Sequence, residues 1–229
     1  MKNIGLLGGM SWESTATYYR LINQETKKRL GNLHSAPISM VSVDFQEIED
    51  LQVSNDWCKA GEILADKAKV VEAAGAECLV LCTNTMHKVA PAIENAINIP
   101  FLHIGDATAL EIKRSGRSCI GLLGTVFTMQ QDFYRKRLEN HGLKVLVPSH
   151  EDQEIVHRVI YDELCQGHVR EESRAEFIRI INDLRKNGAE GVIEGCTEIN
   201  LLVEKGDTDV QLFDTTLIHA MKAVDFALM

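Results

Sequence analysis

Residues 75–86, GAECLVLCTNTM, and residues 188–199, GAEGVIEGCTEI, lie over each other without a gap, and that overlay decides the fold. Both begin on Gly-Ala-Glu, run through a β-rich stretch and finish in small polar residues. A second pair agrees: Ile4-Gly-Leu-Leu-Gly8 returns as Ile120-Gly-Leu-Leu-Gly124. The offsets are 113 residues from Gly75 to Gly188 and 116 from Ile4 to Ile120. Near-equal offsets are the mark of one unit used twice.

Around these stretches, short apolar strands alternate with helical patterns. Ile4 to Gly8 reads as a strand and Ser14 to Leu30 as a helix, followed by a strand from Ile38 to Val43. Apolar residues recur at helical spacing between Asp56 and Ala74, Gly75 ends that helix, and the next strand is Cys78 to Cys82. After Pro100 the pattern restarts, with strands at Cys119 to Leu123 and Lys144 to Val147, a helical stripe from Ile155 to Leu164, and Val192 to Gly195 closing the series. Strand–helix alternation of this kind predicts an α/β protein with parallel sheets. The repeat makes it two pseudo-symmetric parallel-sheet lobes with flanking helices and the active site in the cleft between them. The expected lobes are residues 1–100 plus 210–229, and residues 101–209.

Composition narrows the function. The chain has 229 residues, 45% of them apolar and 25% charged, with only four prolines, which describes a globular protein rather than a disordered one. A formal net charge of -9 disfavours nucleic acid or an anionic membrane as partner and favours small-molecule chemistry. The N-terminal apolar run is broken by glycines and reads as the first strand, not a signal peptide. No segment approaches the roughly 20 apolar residues of a membrane span, so a cytoplasmic location is expected. Six cysteines without CxxC spacing read as free thiols, and eight scattered histidines give no zinc pattern.

The ungapped overlay sets Cys82 over Gly195 and Thr83 over Cys196. Matching Cys-Thr with Cys-Thr would need a one-residue slip, which in a strand turns every side chain to the opposite face. Thr83 and Cys196 are therefore the equivalent pair, and Cys82 points into packing. Polar residues just beyond a strand's carboxyl end are where α/β folds carry ligands, which singles out Asn84, Thr85 and His87, although Asn-Thr also caps helices and a histidine here also packs or caps. The glycine run Gly5 to Ser11 suits either an anion-binding amide turn or a merely tight turn, and it lacks the dinucleotide spacing. Glu198 orients the thiol or a substrate ammonium, or sits as a first-turn carboxylate. Asp44 and Gln46 close another strand end, and Gln52 is placed on the loop that follows.

With GLLGGM at 5–10, TNTMH at 83–87, GLLGT at 121–125 and GCTE at 195–198, the chain resembles the aspartate/glutamate racemase family over nearly its whole length. The subgroup with GLLGGMSWEST and LCTNTMHK, which includes broad-specificity members, is the most similar. The resemblance implies α-proton transfer by two groups on opposite faces of an amino acid, with neither pyridoxal phosphate nor metal. It implies Cys196 and Thr83 as that pair, with Cys196 on the L-face. Met10, Ser11, Gln52, Asn84, Thr85, Thr125 and Thr197 would contact substrate, Thr83 among them, and a homodimer is the family expectation. Two departures stand out. Thr83 occupies the position where typical members have cysteine, and the stretch ELCQGH, with Cys165, Gln166 and His168, lacks a lysine that many acidic-substrate members carry. Aspartate and glutamate come first as substrates, with homoserine-like and other amino acids open. The alternatives are a maleate-isomerase or decarboxylase-like relative, or a non-catalytic amino-acid binding protein.

Overall fold

The repeated Gly-Ala-Glu has a physical cause in the computed structural model, which describes residues 1–204 and 206–229. Gly75 and Gly188 follow the helices Trp57–Ala73 and Glu171–Lys186 with φ of 88° and 101°. That left-handed region strains any residue with a Cβ. The Glu77 backbone N–H donates to the Asn3 carbonyl at 2.8 Å, while its carboxylate accepts from the Asn3 N–H at 2.8 Å. Glu190 repeats the arrangement, donating to the Cys119 carbonyl at 2.9 Å and accepting from the N–H groups of Ser118 and Cys119 at 2.7 and 3.0 Å. Each glutamate thus ties down the start of the strand that carries Gly-Leu-Leu-Gly.

The chain divides into two units, Met1–Ile104 with Thr216–Met229, and Gly105–Thr215. The first holds β1 (Ile4–Gly8), β2 (Ile38–Ser42), β3 (Cys78–Leu81) and β4 (Phe101–Leu102), all parallel in the order β2-β1-β3-β4. Alternation along the strands sends Leu7, Leu79 and Leu81 to one face, where Ile48, Leu64, Ala68 and Val71 of the helices Phe45–Val53 and Trp57–Ala73 cover them. Ile4, Leu6, Cys78, Val80 and Cys82 go to the other face. There they meet Tyr18 and Ile22 of the helix Trp12–Leu30 and Ala220, Ala223, Val224 and Ala227 of the helix Thr215–Leu228. Each fully buried Leu or Ile side chain stabilises by roughly 1.5–3 kcal/mol relative to exposure.

The second unit holds β5 (Cys119–Gly124), β6 (Lys144–Leu146), β7 (Val192–Gly195) and β8 (Leu212–Asp214), parallel in the order β6-β5-β7-β8. Leu123 and Val192 face a core filled by Val156, Val159 and Ile160 of the helix His150–Asp162 and Phe177, Ile180, Ile181 and Leu184 of the helix Glu171–Lys186. The two sheets have the same topology.

Sequence periodicity finds three strands in each unit and misses β4 and β8, which at two and three residues are too short to show alternation. Because β8 pairs with β7, residues 210–215 continue the second unit, and the return to the first begins at Thr216 rather than at 210. The helical stripe expected to reach Leu164 stops at Asp162, and Leu164–Gln166 forms a 3-10 turn. Among the described residues no helix is long and apolar enough to cross a membrane.

Candidate active site

Cross-strand register tests the overlay of the two repeats. In the first sheet Gly5 pairs with Leu79, Leu6 with Val80 and Leu7 with Leu81. In the second Gly121 pairs with Val192, Leu122 with Ile193 and Leu123 with Glu194. Adding 116 to the first partner and 113 to the second converts one set into the other, so the two sheets share one register. Cys82 then corresponds to Gly195, which pairs with Gly124. Thr83 and Cys196 follow as the first residues beyond these matched strand ends.

At the end of β3, the Cys82 N–H still donates to the Leu7 carbonyl at 2.9 Å, the last ladder bond of the strand. The Cys82 side chain is fully buried beside Val80 and Tyr18, and removal from water pushes its thiol far above the ordinary range. It is a packing residue and inert as a base. Thr83 turns away from the ladder, and among the described residues nothing hydrogen-bonds to its hydroxyl. Its carbonyl accepts from His87 Nδ1 at 2.7 Å, and His87 Nε2 accepts from the Ile104 N–H at 3.2 Å. His87 is 2% exposed, in the 3-10 turn Thr85–Val89. Burial first, then the neighbouring His103 and His219, hold its pKa well below the ordinary imidazole value.

Three further first-unit candidates are structurally committed. Ser11 caps the helix Trp12–Leu30, accepting from the Ser14 N–H, and Met10 is buried in the core with Met86. The Gly9 N–H is taken by the Thr15 hydroxyl at 2.8 Å, which favours the tight-turn reading of this glycine run. Gln52 is corrected from loop to helix: it lies in Phe45–Val53, 5% exposed, with Nε2 at 3.0 Å from Met86 Sδ, behind the Thr-Asn-Thr-Met turn. Asp44 is the N-cap of that helix and accepts from the Gln46 N–H. Asn84 and Thr85 are buried at the turn itself.

At the end of β7 the thiol of Cys196, half-buried, donates to Glu198 Oε2 at 3.0 Å, and the Thr197 hydroxyl donates to the same oxygen at 2.6 Å. Desolvation and then the Glu198 carboxylate push the Cys196 pKa well above its ordinary value. The resting residue is a thiol, ready to give a proton. To take one, it must first release its own, and Glu198 Oε2 is the acceptor in place. Thr125, the first residue beyond β5, whose Gly124 pairs with Gly195, caps the helix Val126–Gln130 and accepts from the Thr128 N–H.

A pair of acidic residues in register on β7 and β8 escapes sequence reasoning. Glu194 is 5% exposed, its Oε1 has no hydrogen-bond partner, and it pairs in register with Asp214. Burial, then Asp214, pushes Glu194 up to about 8. Asp214 accepts from Asn200 Nδ2 at 2.9 Å. The available signal was a charge inside the strand Val-Ile-Glu-Gly, at the position where the other repeat has Leu81. Among the described residues no group of three His, Cys, Asp or Glu side chains is placed to hold a metal ion.

Two four-stranded parallel sheets of one topology, each with flanking helices, define an α/β protein built on a repeated unit. The chain belongs to the Asp/Glu/Hydantoin racemase family, whose family model matches residues 7–223. It is 25% identical over 224 residues to a broad-specificity amino-acid racemase from Bacillus subtilis (strain 168), covering 96% of each chain. A solved Yersinia pestis protein assigned to the Asp/Glu racemases is 55% identical with a TM-score of 0.95, covering 100% of both chains. An aspartate racemase homologue from Pyrococcus horikoshii OT3 is 36% identical with a TM-score of 0.89, again over 100% of both. A glutamate racemase from Francisella tularensis shares the fold at 13% identity, with a TM-score of 0.66 over 99% of this chain and 81% of that one. Family and relatives together support amino-acid racemase activity, an isomerase reaction.

Proposed function

We propose that the protein interconverts L- and D-amino acids by two-base α-proton transfer, without pyridoxal phosphate or metal, with aspartate and glutamate as first substrates. The observation that carries this is the shared register, which puts Thr83 and Cys196 at the same place in two copies of one sheet. Enantiomers differ in the face that bears the α-hydrogen, and two equivalent strand ends supply one proton-transferring group for each face. From an L-amino acid, Cys196 takes the α-proton after passing its own to Glu198, the Thr83 hydroxyl delivers a proton to the opposite face, and the turnover closes when Glu198 loses its proton to water and Thr83 takes one from water. The reverse reaction uses the same groups in exchanged order. Asn84, Thr85 and the turn at Met10 and Ser11, with Thr125, Thr197 and Gln52, are proposed to hold the substrate. Hydrogen bonds to its α-carboxylate would stabilise the carbanionic transition state.

The test is α-deuterium incorporation in D₂O across a panel of L- and D-amino acids, read by mass and by chiral chromatography. Wild type exchanges and inverts at least one of them. Cys196→Ala loses at least 100-fold of both, the scale of a lost general acid/base. Full exchange by Cys196→Ala would remove the central assignment. Binding without any exchange by wild type would make the protein an amino-acid binder.

A further inference from the structure

We propose that His87 is a positioning residue for Thr83: by accepting from the Ile104 amide and donating to the Thr83 carbonyl, it fixes the backbone from which the hydroxyl projects. The inference rests on the reading of Thr83 as one of the two proton-transferring groups.

The bonds leave one tautomer. A backbone N–H only donates, so Nε2 facing the Ile104 amide at 3.2 Å presents its lone pair. A carbonyl only accepts, so Nδ1 facing Thr83 at 2.7 Å carries the hydrogen. That arrangement requires the neutral ring, and burial among His103 and His219 keeps it neutral. His103 lies edge-on with its ring centroid 4.5 Å away, and His219 meets the ring in the same manner at 5.9 Å.

The Thr83 backbone needs such a partner. The β1–β3 ladder ends at Cys82, so the Thr83 carbonyl lies beyond the sheet's own hydrogen bonds. Among the described residues no side chain hydrogen-bonds to the Thr83 hydroxyl, so the backbone sets its aim. Threonine is β-branched, and its χ1 choices are restricted once the backbone is fixed. Holding the carbonyl therefore holds the hydroxyl. Packing alone does not explain the residue, because an apolar ring at this buried place would need no bonds at both nitrogens. In the second unit the corresponding residue is Asn200, 113 positions on. It donates to the Asp214 side chain, leaving Cys196 to be held through its own thiol by Glu198.

Three variants, His87→Phe, His87→Gln and Thr83→Ala, are compared by two readouts in D₂O: α-deuterium exchange with retention, starting from the L-enantiomer, and inversion to the D-enantiomer. Exchange with retention reports the Cys196 face, whereas inversion needs Thr83 as well. His87→Phe is expected to lower inversion at least tenfold while exchange with retention stays within threefold. His87→Gln, which has one donor and one acceptor, should restore most of the inversion. Equal loss of both readouts in His87→Phe and His87→Gln would mean a merely structural histidine, and unchanged inversion in His87→Phe would mean no role; either overturns the inference. If Thr83→Ala itself leaves inversion intact, the two-base reading fails and this inference fails with it. If Thr83→Ala abolishes inversion and His87→Phe does not, only the inference on His87 fails. Should His87→Phe not fold, the ¹⁵N–¹H spectrum of wild-type histidine side chains decides, with the His87 signal assigned by its loss in His87→Gln. A neutral ring protonated at Nδ1 supports the proposal, and one protonated at Nε2 overturns it.

Discussion

At the end of β3 Thr83 sits on a backbone clamped by His87, and among the described residues nothing hydrogen-bonds to its hydroxyl, while at the end of β7 the thiol of Cys196 is bonded to Glu198, and burial and then that carboxylate raise its pKa. The surroundings differ in the same sense. Leu81 is apolar and buried in one sheet, and its counterpart Glu194 is a buried acid beside Asp214 in the other. The first unit thus controls its group by backbone geometry and neutral imidazoles. The second controls its group by charge. One duplicated scaffold keeps the strand register and lets the chemistry at the two ends diverge.

The largest way to sharpen this contrast is Thr83→Cys, which gives both ends a thiol. A hydroxyl does not ionise near neutral pH and a thiol does in part, so initial rates of racemisation should rise by about 10²-fold in both directions. An unchanged rate would move the first unit's proton-transferring group elsewhere.

Next is Glu194→Leu, which makes the second sheet match Leu81 of the first. Burial lifts the Glu194 carboxyl from its ordinary 4.5 to about 8. In the unfolded chain the group ionises near its ordinary value, so between those two pH values the folded state keeps a proton that the unfolded state has lost. Wild-type stability therefore falls as pH rises through that window. The variant should be more stable at pH 8 by about 2 kcal/mol, with a flatter profile in denaturant unfolding from about pH 5 to 8. A wild-type profile that is already flat would mean that Glu194 is charged and paired in the folded protein.

The smallest effect is expected from Cys82→Ala. Racemisation should stay within about twofold, because a thiol with so raised a pKa takes no part in proton transfer, and unfolding should show a loss of about 1 kcal/mol for the emptied space. Abolished activity would show that the repeats are out of register by one residue.

Much of the fold was legible because its signals are local. Gly75 and Gly188 stop helices, the apolar runs mark strands, and the ungapped overlay already equates Thr83 with Cys196. What escaped depends on pairing between distant residues. The strands β4 and β8 exist only as additions to sheet edges, and Gln52 looked like loop because nine residues with one buried apolar position give a faint helical stripe. The Glu194–Asp214 contact is a consequence of β7–β8 pairing. The bond between the Tyr18 hydroxyl and His219 Nδ1 spans 201 positions, and no local pattern announces it. At the site, the residue types beyond each strand were readable, but not that His87 would spend both nitrogens on backbone.

The helix Thr215–Leu228 gives the chain an order of completion during synthesis. The second unit is continuous in sequence and can close as soon as Thr215 is available. The first unit emerges earlier yet stays open on one face, because Tyr18, Ile22 and Cys82 wait for Ala220, Ala223 and Val224. Its apolar sheet face is exposed to solvent and to neighbouring chains until residues 220–227 have left the ribosome, a stage at which such surfaces are prone to aggregate. Truncations ahead of Ala220 should accordingly yield a folded second unit attached to an aggregation-prone first one.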